Sequence, residues 1–271
     1  EGEGNIWAYG VLMMKYDHKR QQWTNYMQRP PFNDATIFSA PKTASYDPVH
    51  KGIWVAARPG LFFIQGETVL HAKNNPQQWK IFSYTGTTWQ AGADNKGRIW
   101  FYDDATQHIV CFRPGTNELN RIMPVTRSLQ RIKPDNNGRL WLFYWNGPAM
   151  IYDELTQTAD SSLFINGYPK SIIHSNATNL YIDRDSNYWI ASRYGISILN
   201  RQEQYFRYYM LTDKEDNRAL GGLSVTNLAE APANRLWLAT NQGLYNYDLT
   251  NNRYKRILNP LVKKSVRCAF R

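Results

Sequence analysis

The 271-residue chain carries 32 Lys and Arg against 22 Asp and Glu, a formal net charge of +10 with pI near 9.5. Hydrophobic residues at 42% and aromatics at 14% supply a core, while no run approaches the roughly 18–20 apolar residues that a membrane helix needs, so the sequence predicts no membrane insertion by this segment. The basic excess speaks to solubility and to anionic partners rather than to fold.

In chain order, a tryptophan recurs at Trp7, Trp54, Trp100, Trp141, Trp189 and Trp237, at intervals of 47, 46, 41, 48 and 48 residues. The local contexts are "GNIW", "GIW", "GRIW", "GRLW", "SNYW" and "NRLW". Each copy then reaches an aromatic or apolar residue and, in most copies, a polar one: Tyr16-Asp17, Phe63-Ile64, Phe112-Arg113, Tyr152-Asp153, Leu199-Asn200 and Tyr247-Asp248. A repeat of about 40–50 residues built from several short strands is the sequence signature of a propeller blade. The last full copy spells out the blade: an inner strand over "SVTNLAEA", a "PAN" turn, a second strand "RLWLAT", an "NQG" hairpin, a third strand "LYNYD" and an outer "RYKRIL". Alternation and Asn/Gly punctuation both read as strands. Gly60, Gly147, Gly195 and Gly243 fall at matching places after their tryptophans, where a hairpin asks for positive φ.

The tryptophan sits on the second strand, where a large ring can be wedged between neighbouring sheets. The start, "EGEGNIW", resembles a turn and second strand with no inner strand before it. "KKSVRCAFR" at the end resembles an inner strand that stops before its turn. The expectation is therefore an all-β fold, a single β-propeller domain over 1–271. It has about six four-stranded blades and is closed by the N- and C-terminal strands in one blade, which removes two free sheet edges. A seventh blade would need a further diverged repeat or residues outside this chain.

"LGGLSVTNLAEAPANRLWLATNQGLYNYDLTNNRYKRI", Leu220 to Ile257, resembles the two-component regulator propeller repeat, with its leucine-serine entry, "LWIGT"-like strand, "GL" and Tyr-Asp pair; here "LAT" stands for "IGT". "NATNLYIDRDSNYWIASRYGISILN", Asn176 to Asn200, is similar to it more loosely. The resemblance extends over essentially the whole chain. It implies the periplasmic sensor region of a hybrid two-component regulator from polysaccharide-degrading gut bacteria. Such a region is non-catalytic and recognises, or scaffolds recognition of, a polysaccharide-derived oligosaccharide. Kinase and DNA-binding parts would lie elsewhere in the polypeptide. Implied partners are the oligosaccharide or a neighbouring sensor module, with a homodimer of the full-length protein.

Motifs for catalysis are missing: there is no GxSxG elbow, phosphate loop or HExxH. His18, His50, His71, His108 and His174 fall at unrelated repeat positions, so no metal site and no cofactor are expected. "DRDSN", Asp183 to Asn187, imitates a calcium loop, but its twelfth position would be Tyr194 where Glu is required, so it reads as a turn. Cys111 and Cys268 form no CxxC pair and read as buried small hydrophobes. Nucleic acid is disfavoured because the periodic aromatics are used by the blades instead of forming free stacking platforms.

In a propeller, the hairpins between second and third strands and the links between blades share one face. The residues expected there for ligand binding are Arg58, Arg127, Tyr144, Trp145, Arg193, Tyr194 and Asn241. Trp145 falls at a turn, off the periodic positions, where an indole can offer its face to a sugar. The arginines can fork onto a carboxylate or sulfate. Two other readings stand beside the sensor. A lyase- or lactonase-type propeller enzyme would need His and acidic residues converging at the channel mouth. A protein-interaction ring would dock through the basic segment from Asn251 to Arg271.

Overall fold

The computed structural model describes residues 6–9, 13–17, 19–28, 33, 41–57, 60–66, 68–70, 76–82, 84–86, 88–161, 177–192, 195–199, 206–209, 224–251, 253–257 and 267–269. Its described residues form two compact units, 1–140 with 269–271, and 141–268.

The first unit opens with β1 (Ile6–Tyr9), β2 (Met13–Asp17) and β3 (Gln22–Asn25), followed by a single 3-10 turn at Tyr26–Gln28. A second group is β4 (Thr43–Asp47), β5 (Gly52–Ala57), β6 (Gly60–Gln65) and β7 (Thr68–Leu70). A short helix, α1 (Pro76–Ile81), precedes β8 (Thr88–Ala93), β9 (Ile99–Asp103), β10 (His108–Arg113), β11 (Glu118–Pro124) and β12 (Leu129–Pro134). After β13 (Arg139–Tyr144), the second unit continues through β14 (Met150–Asp153) and β15 (Thr158–Asp160). Next come β16 (Ala177–Ile182), β17 (Tyr188–Ser192), β18 (Gly195–Leu199) and β19 (Phe206–Tyr209). It ends with β20 (Val225–Ala231), β21 (Arg235–Thr240), β22 (Gly243–Asp248) and β23 (Arg253–Ile257); the last strand is β24 (Arg267–Ala269).

Among the described residues these strands make six four-stranded sheets, and five of them take four strands consecutive in the chain. The sheet of β1, β2 and β3 instead takes β24 as its fourth strand, beside β1. One sheet per tryptophan repeat is the sheet content expected from the sequence. The helix is the departure from a purely β reading. Pro76 occupies its first position, where a missing N–H costs nothing, and Trp79 packs its ring 5.6 Å from that of Phe62.

The tryptophans sit on the second strand of their sheets. Trp54 lies across from Ser45 and Phe63, Trp100 across from Gly92 and Cys111, and Trp189 across from Tyr181 and Ile198. Trp54 is fully buried and joins Phe63 of its own sheet to Ile99, Phe101 and Phe112 of the next in one apolar cluster. In the second unit, Trp141 stacks on Tyr188 at 5.3 Å within a cluster that reaches Leu180 and Ile190. A ring of this size removes about 150–250 Å² from water, an upper contribution of roughly 4–6 kcal/mol at 25 cal/mol per Å². The wedge between successive sheets therefore supplies much of the core around Trp54 and Trp141.

Candidate functional site

Two polar devices hold the sheets in register, and they decide which side chains are left for binding. The first is an aspartate six or seven residues before a tryptophan. Asp94 Oδ1 accepts the backbone N–H groups of Lys96 and Arg98 at 2.9 Å each, closing the turn between β8 and β9. Its Oδ2 accepts Arg98 Nε at 2.7 Å and Trp100 Nε1 at 2.9 Å. Asp47 does the same for the amides of Val49 and His50 and for Trp54 Nε1, with His50 Nδ1 2.6 Å from Oδ2. Asp183 takes the Asn187 amide and Trp189 Nε1, both at 2.8 Å. The would-be calcium loop is thus a turn whose carboxylate is used by a tryptophan. Asp135 accepts the amides of Asn137 and Arg139 in the matching turn of the fourth repeat.

The second device joins the first strands of successive sheets at separations of 47 to 49 residues, close to the repeat. Ala91 N donates to Thr43 Oγ1 and Ala93 N to Ser45 Oγ, each at 2.9 Å. In the second unit Thr178 Oγ1 donates to Val225 O at 2.7 Å, Asn179 Nδ2 donates to Asn227 Oδ1, and Tyr181 Oη donates to Glu230 Oε2 at 3.0 Å. Burial, followed by the Glu230 charge, raises the pKa of Tyr181 far above its ordinary value, so this hydroxyl stays a donor. The bonds to Ala91 N, Ala93 N and Val225 O give partners to backbone groups on the edge strands β8 and β20.

One first strand departs from this pattern of neutral hydroxyls and amides. On β12, Arg131 is buried, and its Nη1 donates to Tyr9 Oη at 2.8 Å. Its Nε is buried with no partner among the described residues, as is Oε1 of Gln90 on β8. Lys133 follows two residues later and keeps part of its surface accessible. Its pKa is pushed down to about 8, chiefly by burial and secondly by Arg131. β8 and β12 lie close together: a Cβ on Gly92 would come within 2.5 Å of Pro134 Cδ.

The residues expected on the hairpin face fare unequally. Trp145 stands at the turn after β13 with 52% of its surface exposed. Tyr144, its neighbour at the end of β13, is 6% exposed and faces the interior. In the same unit, Asn241 is exposed in the turn between β21 and β22, but its Oδ1 accepts Ser224 N at 2.8 Å and its own amide donates to Ser224 O. Arg127 is exposed on the link from β11 to β12 in the first unit. Arg58, Arg193 and Tyr194 lie outside the described residues.

Among the described residues no three His, Cys, Asp or Glu side chains gather as a metal site. No helix among them is long and apolar enough to cross a membrane. His108 Nδ1 lies 2.6 Å from Thr106 O and Cys111 is buried; His18, His71 and His174 are outside the described residues. On β23, Arg253, Lys255 and Arg256 are exposed, Arg256 donating to Gln242 O at 2.6 Å. Three of the seven basic residues between Asn251 and Arg271 therefore lie on a solvated outer strand.

The sequence matches no protein-family model and no curated protein. Solved structures do resemble it. The extracellular domain of the putative hybrid two component system BT4673 from B. thetaiotaomicron matches 82% of this chain at 14% identity with a TM-score of 0.58. That of BT3049 from the same organism matches 98% at 17% identity with a TM-score of 0.57. The chain shares the fold of these extracellular domains. It spans 28% and 35% of their respective lengths. A chain of a nidogen/laminin complex, at 12% identity and a TM-score of 0.66, is matched over 97% of this chain and 95% of its own length.

Proposed function

We propose that the chain is a single six-bladed propeller domain over 1–271, closed by β24 beside β1. We further propose that it serves as a non-catalytic, extracytoplasmic sensor module of a hybrid two-component regulator. In this reading it recognises, or scaffolds recognition of, a polysaccharide-derived oligosaccharide, anionic ones included, and so controls glycan utilisation. The observation that carries the proposal is the coincidence of two likenesses. The repeat from Leu220 to Ile257 resembles the two-component regulator propeller repeat, and the fold is shared with extracellular domains of two such systems at TM-scores of 0.57 and 0.58. The near full-length match to a chain of the nidogen/laminin complex supports a domain of this size standing as one unit.

The exposed indole of Trp145 offers an aromatic platform for a sugar ring, and the exposed Arg127, in the other compact unit, is a separate candidate cation for an acidic one. Tyr144 would act from below by fixing the backbone of the turn. Thermal-shift screening against neutral, uronic and sulfated oligosaccharides tests this directly. A glycan that raises the melting temperature of the chain, with the rise lost in Trp145→Ala or Arg127→Ala, is the expected result. A rise that survives both substitutions rejects the hairpin face. No rise with any glycan leaves a scaffold without its own glycan site.

A further inference from the structure

A buried guanidinium in a folded protein is nearly always matched by a carboxylate, because an uncompensated ion taken out of water costs several kcal/mol. Arg131 is 8% exposed, and its bond to Tyr9 Oη is to a neutral group. Among the described residues neither Arg131 nor Lys133 makes an ion pair. Side chains two apart on a strand project from the same face, so the two cations point the same way. Mutual repulsion contributes to the low pKa of Lys133, and a cation pair held in this way is destabilised unless a negative charge lies between its members.

The buried Nε–H of Arg131 has no acceptor among the described residues. It belongs to the edge of the guanidinium that forks onto two oxygens of a carboxylate, sulfate or phosphate group. Lys133 retains accessible surface, which leaves a way in for a small anion. Apart from Lys133, the charge on this stretch of β12 is carried by Arg131, since Leu129, Gln130, Ile132 and Pro134 are neutral.

We propose that Arg131 and Lys133 on β12 form an anion-binding site for the oxyanion group of a small ligand, with Arg131 held in place by Tyr9. The proposal does not rest on the reading of the Trp145 hairpin as a glycan platform, and the two can fail independently.

The test is isothermal titration of the 271-residue chain with inorganic phosphate, inorganic sulfate and acetate, at pH 7 and constant ionic strength against chloride. Saturable binding of at least one of these is expected, weakened at least tenfold in Arg131→Gln and in Lys133→Gln and unchanged in Trp145→Ala. Preference for the tetrahedral ions would identify a sulfate or phosphate ester, and preference for acetate a uronate or other carboxylate. A second measurement does not rely on the variants folding. Lys133 in the unaltered chain should be acetylated by acetic anhydride at pH 8 faster than the exposed lysines, and the preferred anion should slow that modification several-fold. Absence of saturable binding together with unprotected Lys133, or binding untouched by both substitutions, would overturn the site.

Discussion

Asp94→Ala isolates the bond on which the tryptophan repeat depends. The carboxylate is 5% exposed and accepts four hydrogen bonds, two from the turn and one each from Arg98 and Trp100. Its removal leaves the buried indole N–H without that acceptor, a cost of about 1–3 kcal/mol. It also leaves the largely buried Arg98 without its counter-ion, and breaking such a pair costs about 3–5 kcal/mol. Because the two terms share one side chain they do not simply add, and a total near 4 kcal/mol is expected. Asp94→Asn keeps an oxygen for the turn but turns N–H groups toward Trp100 and Arg98, so it should lose about 3 kcal/mol. The decisive assay is a double-mutant cycle by urea unfolding on wild type, Asp94→Ala, Trp100→Phe and the pair. Phe keeps a ring face for Arg98, which sits 4.9 Å above Trp100, but has no N–H to satisfy. Trp100→Phe should therefore cost at least about 1 kcal/mol less when Asp94 is already Ala. Additivity within about 0.4 kcal/mol would refute the claim that the aspartate acts through the indole.

Gly60→Ala should destabilise by more than about 3 kcal/mol or prevent folding, as read by thermal unfolding, because the new Cβ would lie 1.6 Å from the Tyr84 carbonyl that accepts Leu61 N. Trp141→Ala should cost about 3–5 kcal/mol in urea unfolding, whereas Trp145→Ala, half exposed, should cost under about 1 kcal/mol. Thr43→Val keeps the shape but removes the acceptor for Ala91 N, a loss of about 1–3 kcal/mol measured the same way. Lys133 has a folded pKa of about 8 against 10.5 for a free lysine, so between those values the unfolded chain binds more protons. Stability should then rise with pH across that window, by up to about 3 kcal/mol. Lys133→Met, followed by melting curves from pH 7 to 10.5, should remove that rise.

The β architecture was legible because it is written at a fixed interval. Turn residues, a strand and one large ring return every 41 to 48 positions, and local preference and burial agree at each return. The polar contacts were less visible, although they too follow the interval. Asp47, Asp94, Asp135 and Asp183 each stand six or seven residues before a tryptophan, and Thr43, Thr178 and Thr226 each stand eleven before one. Turn statistics account for those aspartates without any reference to the indole, so their second bond stays hidden until the side chains are placed. Tyr144 closes a strand whose residues from Leu140 onward are all buried, and that two-sided burial does not show in a sequence where an exposed tryptophan follows directly. The short helix at Pro76–Ile81 lies in a link between repeats, outside the periodic signal.

The interval also indicates where individuality can be found. Ten residues before each of five tryptophans stand Ala44, Gln90, Arg131, Asn179 and Asn227, all on the first strands of their sheets. The ladder to the tryptophan strand shifts register at or beside Gln90, Asn179 and Asn227 and runs unshifted at Ala44, so this position accepts different side chains and different local pairing on the same kind of strand. Asn179 and Asn227 use that freedom to bond to each other, and Ala44 fills apolar space. Arg131 buries a charge instead, with a second cation two residues on. The repeat explains why a strand is there and gives no reason for that charge. A function should therefore be sought at the positions that break the pattern, Trp145 outside the tryptophan series and Arg131 with Lys133 on β12, and not at the six rings that keep it.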